Sequence, residues 1–584
     1  MGQEDVRVVV ARGDDATSGY LFQRPENILV ANRPAEVLSV LREIQRAVDK
    51  GMCAAGFLTY EASSGIDAAM RTHSGYDLPM PLAWFGIFRS ADEFRIPADS
   101  KVSAFLVGEW KPSISAAQHA DAVGRIKRYL KSGDTYQVNF TFRLRASFQG
   151  DPWGLFCRIQ RNQRSQYASF IETDRFAICS VSPELFFSLD GDTLSSKPMK
   201  GTSKRGLTSV LDRELKDRLR SSAKEMAENV MIVDMVRNDM GRIALPGTVM
   251  ASHLFEVEQY QTVLQMVSTV SCRTSSGLPE IMRALFPCAS ITGAPKIRTM
   301  QIIRDLEHEP RGIYTGCIGY VLPGRRTQFN VAIRTVLVDK QAGTAEYGVG
   351  GGVVWDSNPV REYQECAVKS DVLTAQRPQF DLLETMLLEK EGGYFLFEEH
   401  MNRLADSAMY FNFSIDLGAI RKRLAAKGTE MAGTLSKIRL LVTENGEITL
   451  TAAPLDMPAL IKPWRLALAK EPVDRESPYL YHKTTNRIAY DLARESRPGY
   501  DDVLMKNSRD EITESTIANV VIVKNGRRFT PPVSCGLLPG VFRNWLIING
   551  ELVEKILTMA DLCDADSVFL INSVRKWMPA QLDI

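Results

Sequence analysis

The stretch from Phe176 to Gly206, FAICSVSPELFFSLDGDTLSSKPMKGTSKRG, limits the fold more than any other part of the chain. Phe176 to Val181 is a short apolar run ending in Ser-Pro, and Leu185 to Leu189 is a second, closed by Asp190-Gly191. Runs of this length between turn-forming residues read as strand, turn, strand, then a polar loop with Lys200 between Pro198 and Gly201. Pro198 fixes the backbone at the loop entry, and Gly201 lets another group come close. An ammonium displayed this way becomes a nucleophile when it is desolvated or has a base nearby. Glu184, on the same hairpin, is the obvious proton partner. The plain alternative is a solvated lysine in a basic loop with Lys197, Lys204 and Arg205.

The segment SPELFF followed by KPMKGT resembles the core of the chorismate-utilising enzymes, which include anthranilate, isochorismate, salicylate and aminodeoxychorismate synthases. Anthranilate synthases carry a small residue at the Lys200 position. A lysine in a Pro-x-Lys-Gly-Thr setting marks the aminodeoxychorismate synthases, and the resemblance places this chain with them. It implies a synthase component of the transaminase class, with Lys200 as nucleophile and Glu184 as its acid and base. The strand DTYQVNFTFRL fits the same side, and Gln265 stands where several relatives carry His. The likeness runs over about residues 15 to 372.

Two helices carry paired acids. In SSAKEMAENVMIVDMVRNDM, Glu225 and Glu228 are three apart and share a face, although Ser222-x-x-Glu225 is also a capping box that needs no metal. In DSNPVREYQECAVK, Glu362 and Glu365 repeat the spacing after Asn358-Pro359, a good helix start. The resemblance assigns all four to metal binding. Four carboxylates without His or Cys suit Mg²⁺ rather than Zn²⁺. The resemblance also implies a chorismate pocket from the Ser290-to-Lys296 loop, with Thr292 and Lys296 facing the reaction centre, and from Tyr314. Arg334, in the apolar run Phe329 to Val338, would take a substrate carboxylate, with a structural salt bridge as the alternative. Gly350, Gly351 and Gly352 would offer backbone N–H groups.

Around residues 373–379 the periodicity lapses, and a different signature follows. Phe380-Asp-Leu-Leu-Glu-Thr385, Glu399-His-Met-Asn-Arg403, Tyr481-His-Lys483-Thr-Thr-Asn486 and Ile512-Thr-Glu514 resemble fold-class IV aminotransferases. So do Gly536-Leu-Leu-Pro-Gly540-Val541-Phe542 and Leu570-Ile-Asn572. That family binds pyridoxal 5′-phosphate and includes aminodeoxychorismate lyase. The resemblance implies that Lys483 holds the cofactor and moves protons, and that Glu514 faces its ring nitrogen. Arg403 and the main-chain N–H groups of Val541 and Phe542 would take its phosphate. The strand that usually precedes the Phe-Asp-Leu-Leu-Glu-Thr motif is missing. The residue that grips the substrate carboxylate stays open, with Arg439 a candidate.

A length of 584 residues calls for more than one domain. The expected plan is an α+β two-sheet chorismate-binding sandwich over 1–372, a linker at 373–379, and a two-lobed α/β class IV PLP domain over 380–584. The net charge of +1 argues against nucleic acid as a partner. No run approaches the ~18 apolar residues of a membrane span. Nine cysteines without a CxxC pair point to a reducing cytoplasm and no zinc site.

Together the two resemblances imply 4-aminobenzoate synthesis for folate: chorismate is aminated to 4-amino-4-deoxychorismate, then split to 4-aminobenzoate and pyruvate. Ammonia would come from a separate glutamine amidotransferase subunit, and the second domain would form a homodimer. Two alternatives stand beside this reading: an anthranilate or isochorismate synthase fused to a PLP transaminase, and a synthase with a non-catalytic docking module.

Overall fold

On the strand Arg7–Ala11, Val8 and Val10 face one way and Val9 and Ala11 the other, and all four are buried. A strand apolar on both faces needs cover on both, and the architecture supplies it. The computed structural model describes residues 6–13, 16–73, 78–96, 104–261, 263–375, 377–391, 393–455 and 462–583. The first five residues and Gln376, in the expected linker, lie outside these. Two compact units divide the chain: Met1–Lys204 with Lys216–Arg377, and Arg205–Leu215 with Pro378–Ile584. This differs from two continuous segments, because residues 205–215 belong to the second unit.

Among the described residues, the first unit contains an 11-stranded and a 10-stranded sheet. Val8, Val10, Phe22 and Ile178 of one sheet meet Ala55, Phe57, Trp84 and Ile318 of the other in the layer between them. Helices cover both outer faces. Val37, Val40, Leu41, Ile44 and Val48 of Pro34–Asp49 pack on one side, with Ile232, Val233 and Val236 of Ala223–Gly241. Leu155, Phe156 and Ile159 of Pro152–Gln163 pack on the other. The result is the expected α+β two-sheet sandwich.

The opening stretch departs from expectation. Phe176–Ser182 lies in the larger sheet and Leu185–Asp190 in the smaller, so the two are not a hairpin. Pro183 has no N–H to continue a ladder, and the chain changes sheet there. The hairpin is formed instead by Leu185–Asp190 and Thr193–Ser196, and Lys200 lies on a strand, Met199–Lys204, not in a loop. Phe329 to Val338 also changes sheet. Arg326–Val331 is in the smaller sheet and Thr335–Asp339 in the larger, with Arg334 at the bend with φ +51°. The two crossings run side by side, since Val331 N donates to Glu184 O (3.1 Å) and Val181 N to Arg334 O (3.0 Å).

The second unit has two lobes. A four-stranded antiparallel sheet buries Leu382, Met386, Ile438 and Leu440 against Met401, Leu404, Ile420 and Leu424 of the helices Phe397–Phe411 and Leu417–Glu430. An eight-stranded mixed sheet forms the other lobe around Leu466, Leu504, Val520 and Leu570. The segment Arg205–Leu215 is part of this unit. The Arg205 guanidinium lies 4.4 Å from the centre of the Tyr410 ring and donates to Tyr410 O (2.9 Å), and Ser209 Oγ donates to Asp406 (2.6 Å). Leu207 packs beside Leu480 and Tyr481. Among the described residues, no helix is long and apolar enough to cross a membrane. Eight of the nine cysteines are buried, and Cys563 is exposed.

Candidate functional site

Glu184 stands where the chain leaves one sheet for the other, and its carboxyl is buried. Loss of water pushes its pKa up to about 7, although the Ser290 hydroxyl, 2.6 Å away, and Lys200 favour its charged form. Burial lowers the pKa of Lys200, while Glu228, Glu184 and Glu365 oppose that fall and Lys369 adds to it. Gly348 to Gly352 run beneath this pair. A methyl on Gly352 would stand 3.0 Å from Lys200 Nζ, and one on Gly351 would lie 3.3 Å from Glu362 Oε2. At Gly348 a methyl would enter the Tyr314 ring, at 2.0 Å, and Gly350 presses on Phe140 O. Thus the strand Thr344–Val353 needs glycines so that Lys200, Tyr314 and the acids can reach its surface.

The two acid-bearing helices start as expected. Ser222 Oγ caps Ala223–Gly241 by accepting from Glu225 N, and Asn358 caps Pro359–Thr374 by accepting from Val360 N and Arg361 N. Burial and neighbouring carboxylates raise the pKa of Glu228 and of Glu362. Burial would raise Glu365 as well, but Lys369, 2.7 Å away, holds it lower. Lys224 approaches Glu228 at 3.8 Å. Among the described residues, no three His, Cys, Asp or Glu converge closely enough to hold a metal ion. The four acids share one neighbourhood, in which Glu228 turns to Lys224 and Glu365 to Lys369. Their oxygen donors and strained charge are those a hard divalent cation relieves.

Two expected pocket residues are otherwise engaged. The Thr292 hydroxyl donates within its own loop, to the carbonyls of Cys288 and Ala289, and Lys296 forms an ion pair with Asp239 at 2.6 Å. Both were expected to face the reaction centre; from that loop, Ser290 reaches Glu184. Tyr314 is buried beneath the guanidinium of Arg143, and Arg334 lies half-buried at its bend. Gln265 bridges Thr202 Oγ1 and Gly201 O, which props the Lys200 strand.

Around Lys200, sequence reasoning missed two residues. Lys369, four after Glu365 on one helix face, donates to Gly350 O (2.9 Å), and that spacing could have revealed it. Gln137 is fully buried, and both its amide atoms lack a hydrogen-bond partner beside Gly352. A buried amide left open in this way marks a position for a polar ligand.

The second unit contains a cavity of about 260 Å³ lined by Arg403, Lys483, Glu514, Val541 and others. Burial pulls Lys483 down to about 8, Arg403 lowers it further, and Glu384 works against both. Burial pushes Glu514 up to about 7 despite hydrogen bonds from Leu538 N (2.8 Å) and Tyr490 Oη (2.9 Å). Arg403 is aimed by Glu384, which accepts from its Nε (2.9 Å) and Nη2 (2.6 Å). Val541 and Phe542 open the helix Val541–Ile548, whose start has no side-chain cap, so its first N–H groups are open to an anion. An aimed arginine, an uncapped helix start, a poised lysine and a buried carboxyl fit a phosphorylated pyridine aldehyde.

Residues 9–375 match the family model for chorismate binding enzymes, and residues 381–582 match that for class IV amino-transferases. Aminodeoxychorismate synthase component 1 of Salmonella typhimurium is 39% identical over 262 residues, 44% of this chain and 57% of that protein. Anthranilate synthase component 1 of Aquifex aeolicus is 34% identical over 266 residues, 45% of this chain and 53% of its own. The match therefore spans little more than half of these relatives. The crystal structure of anthranilate synthase component I from Streptococcus pneumoniae TIGR4 superposes with a TM-score of 0.52 at 24% identity, over 64% of this chain and 94% of that one, a likeness of fold.

Proposed function

The chain belongs to the family of chorismate binding enzymes, and from that premise we propose that it makes 4-aminobenzoate in two steps. The first unit aminates chorismate to 4-amino-4-deoxychorismate, and the second splits that product into 4-aminobenzoate and pyruvate. The observation that supports this most is the lysine: Lys200 has its charge weakened by burial, lies against Gly352, and shares its surroundings with the raised carboxyl of Glu184. A family member that only rearranged or hydrolysed chorismate would not need a nucleophile there.

In the first unit Lys200 Nζ adds to the ring at C2 while both ring double bonds shift and the C4 hydroxyl leaves with the Glu184 proton as water. Ammonia then adds at C4, the bonds shift back and the lysine departs, while Glu184 takes up a proton. Acid–base assistance of this kind is worth about 10² to 10⁴ in rate. Glu228 and Glu365, with Glu225 and Glu362 beside them, would hold Mg²⁺, which would supply positive charge for the ring carboxylate. Arg334 and Tyr314 would bind the substrate's other end. Ammonia comes from a separate glutamine amidotransferase subunit, as the words "component 1" in the relative's name suggest.

In the second unit Arg403 and the N–H groups of Val541 and Phe542 would hold the phosphate of pyridoxal 5′-phosphate, with Glu514 at its ring nitrogen. That cofactor supplies an electron sink for the elimination when bound. Lys483 holds and moves the substrate's proton. The unit pairs with a second copy of itself through residues 380–584.

Incubation with chorismate, Mg²⁺, ammonium and pyridoxal 5′-phosphate, followed by product identification, tests the reading. The expected products are 4-aminobenzoate and pyruvate; anthranilate or isochorismate as the product would overturn it.

A further inference from the structure

The cavity around Lys483 has more positive charge than a cofactor requires. Arg403 is committed to Glu384 and the phosphate end. Arg487 is tied up as well, since it donates to Thr516 O and lies over the Tyr490 ring at 4.4 Å. Three further cations line the same cavity, Lys437, Arg439 and Arg575, and Glu514 is the one carboxylate among the lining residues. Among the described residues, no carboxylate forms an ion pair with any of the three.

The strand Ser436–Val442 explains why two of them point there. Ile438 and Leu440 are fully buried in the core of the small lobe, so Lys437 and Arg439 leave by the opposite face. Thr385, directly across from Arg439, lies on that face too and lines the cavity, as does Leu383. Arg575 comes from the other lobe. Its backbone N–H donates to Asn572 Oδ1 (2.8 Å) in the turn before Lys576–Leu582, and its guanidinium lies 5.7 Å from the Trp464 ring. Single exposed cations are ordinarily solvated and contribute little. Three that converge on one cavity from two lobes, with one lining acid at its base, make a field that favours anions.

We infer that Lys437, Arg439 and Arg575 form a rim that selects an amine bearing two carboxylates and rejects monocarboxylate amino acids. This rests on the lyase reading above and gives it a substrate class: 4-amino-4-deoxychorismate carries one carboxylate on the ring and one on the enolpyruvyl arm.

The test uses full-length protein loaded with pyridoxal 5′-phosphate and supplied with 4-amino-4-deoxychorismate. In Lys437→Gln, Arg439→Gln and Arg575→Gln, KM should rise about fivefold for each cation removed, with kcat nearly unchanged. The visible absorption of the bound cofactor should stay as in the wild type, which reports intact folding. Wild-type KM should climb with added salt, and that slope should flatten in the triple variant. Isophthalate should inhibit the wild type better than benzoate, and the triple variant should lose that preference. Unchanged KM, salt slope and inhibitor preference, with pyruvate still released, would overturn the rim while leaving the lyase in place. A wild type that releases no pyruvate would overturn the lyase reading instead. The rim would then be judged by whether isophthalate shifts the cofactor absorption in wild type but not in the triple variant; no difference would overturn it.

Discussion

The chain carries two half-buried lysines, each with a glutamate whose carboxyl is pushed up to about 7, yet their surroundings have opposite charge. Around Lys200 stand Glu184, Glu225, Glu228, Glu362 and Glu365, with Lys369 and Lys224 as partial compensation. Around Lys483 stand Arg403, Arg487, Lys437, Arg439 and Arg575, with Glu514 and Glu384 against them. The first neighbourhood suits a cation, the second an anion. A half-buried amine takes its chemistry from what completes the charge around it, which on the proposed reading would be a metal ion in one unit and a phosphate and carboxylates in the other.

The largest effects should come from exchanging either lysine. Lys483→Ala should lose the visible cofactor absorption and about 10² to 10⁴ in pyruvate release, while chorismate consumption continues and 4-amino-4-deoxychorismate accumulates. Lys200→Ala should show the reverse and still convert supplied intermediate. Chromatography of both mixtures checks this, and a Lys483→Ala protein with normal pyruvate release would end the comparison. Next comes the metal. Exhaustive chelation should stop the first step and spare the second, and Glu225→Gln or Glu362→Gln should cost about 10- to 100-fold in Mg²⁺ dependence. Equal loss of both activities would show that the charge contrast does not separate the sites.

Smaller effects follow from pH. On the proposed route Glu184 gives its proton to the leaving hydroxyl, so kcat/KM for chorismate should fall as pH rises through about 7. Lys483 must lose one to capture its cofactor, so the reconstitution rate of the apoprotein should climb as pH rises towards about 8. Stopped-flow absorbance and steady-state rates would show the opposite slopes. The smallest effect concerns stability. Burial would raise Glu384, but Arg403 and His400 hold it down at about 2, against an ordinary 4.5. A depressed carboxylate stabilises the fold above its unfolded pKa and loses that contribution as pH falls through the folded one. Melting of the second unit should therefore weaken between about pH 4.5 and 2, and Glu384→Gln should flatten that dependence in a calorimetric series.

Local chemistry was the legible part of the sequence. Ser222 and Asn358-Pro359 announced their helices because a cap is a short-range device. The sandwich and the Lys483 unit could be read from their motifs. The change of sheet at Pro183 and at Arg334 was hidden, because an apolar run looks the same whether its two halves share a sheet or not. Thr292 and Lys296 illustrate a related limit: a motif names residues, but Cys288 O and Asp239 decide what their polar ends do. Lys437 and Arg575 were missed because surface-looking cations become a site only when two lobes bring them together.

The affiliation of Arg205–Leu215 with the second unit bears on how such a protein is made and divided. The backbone passes from one unit to the other three times, after Lys204, Leu215 and Arg377, so the two units are threaded rather than strung in tandem. During translation this segment leaves the ribosome long before Tyr410 and Asp406 exist, and it must wait with Leu207, which packs beside Leu480 and Tyr481 in the fold, open to water. A protease nick at Pro378 would leave the second unit still holding a piece of the upstream fragment. A gene split there would give a downstream product without it.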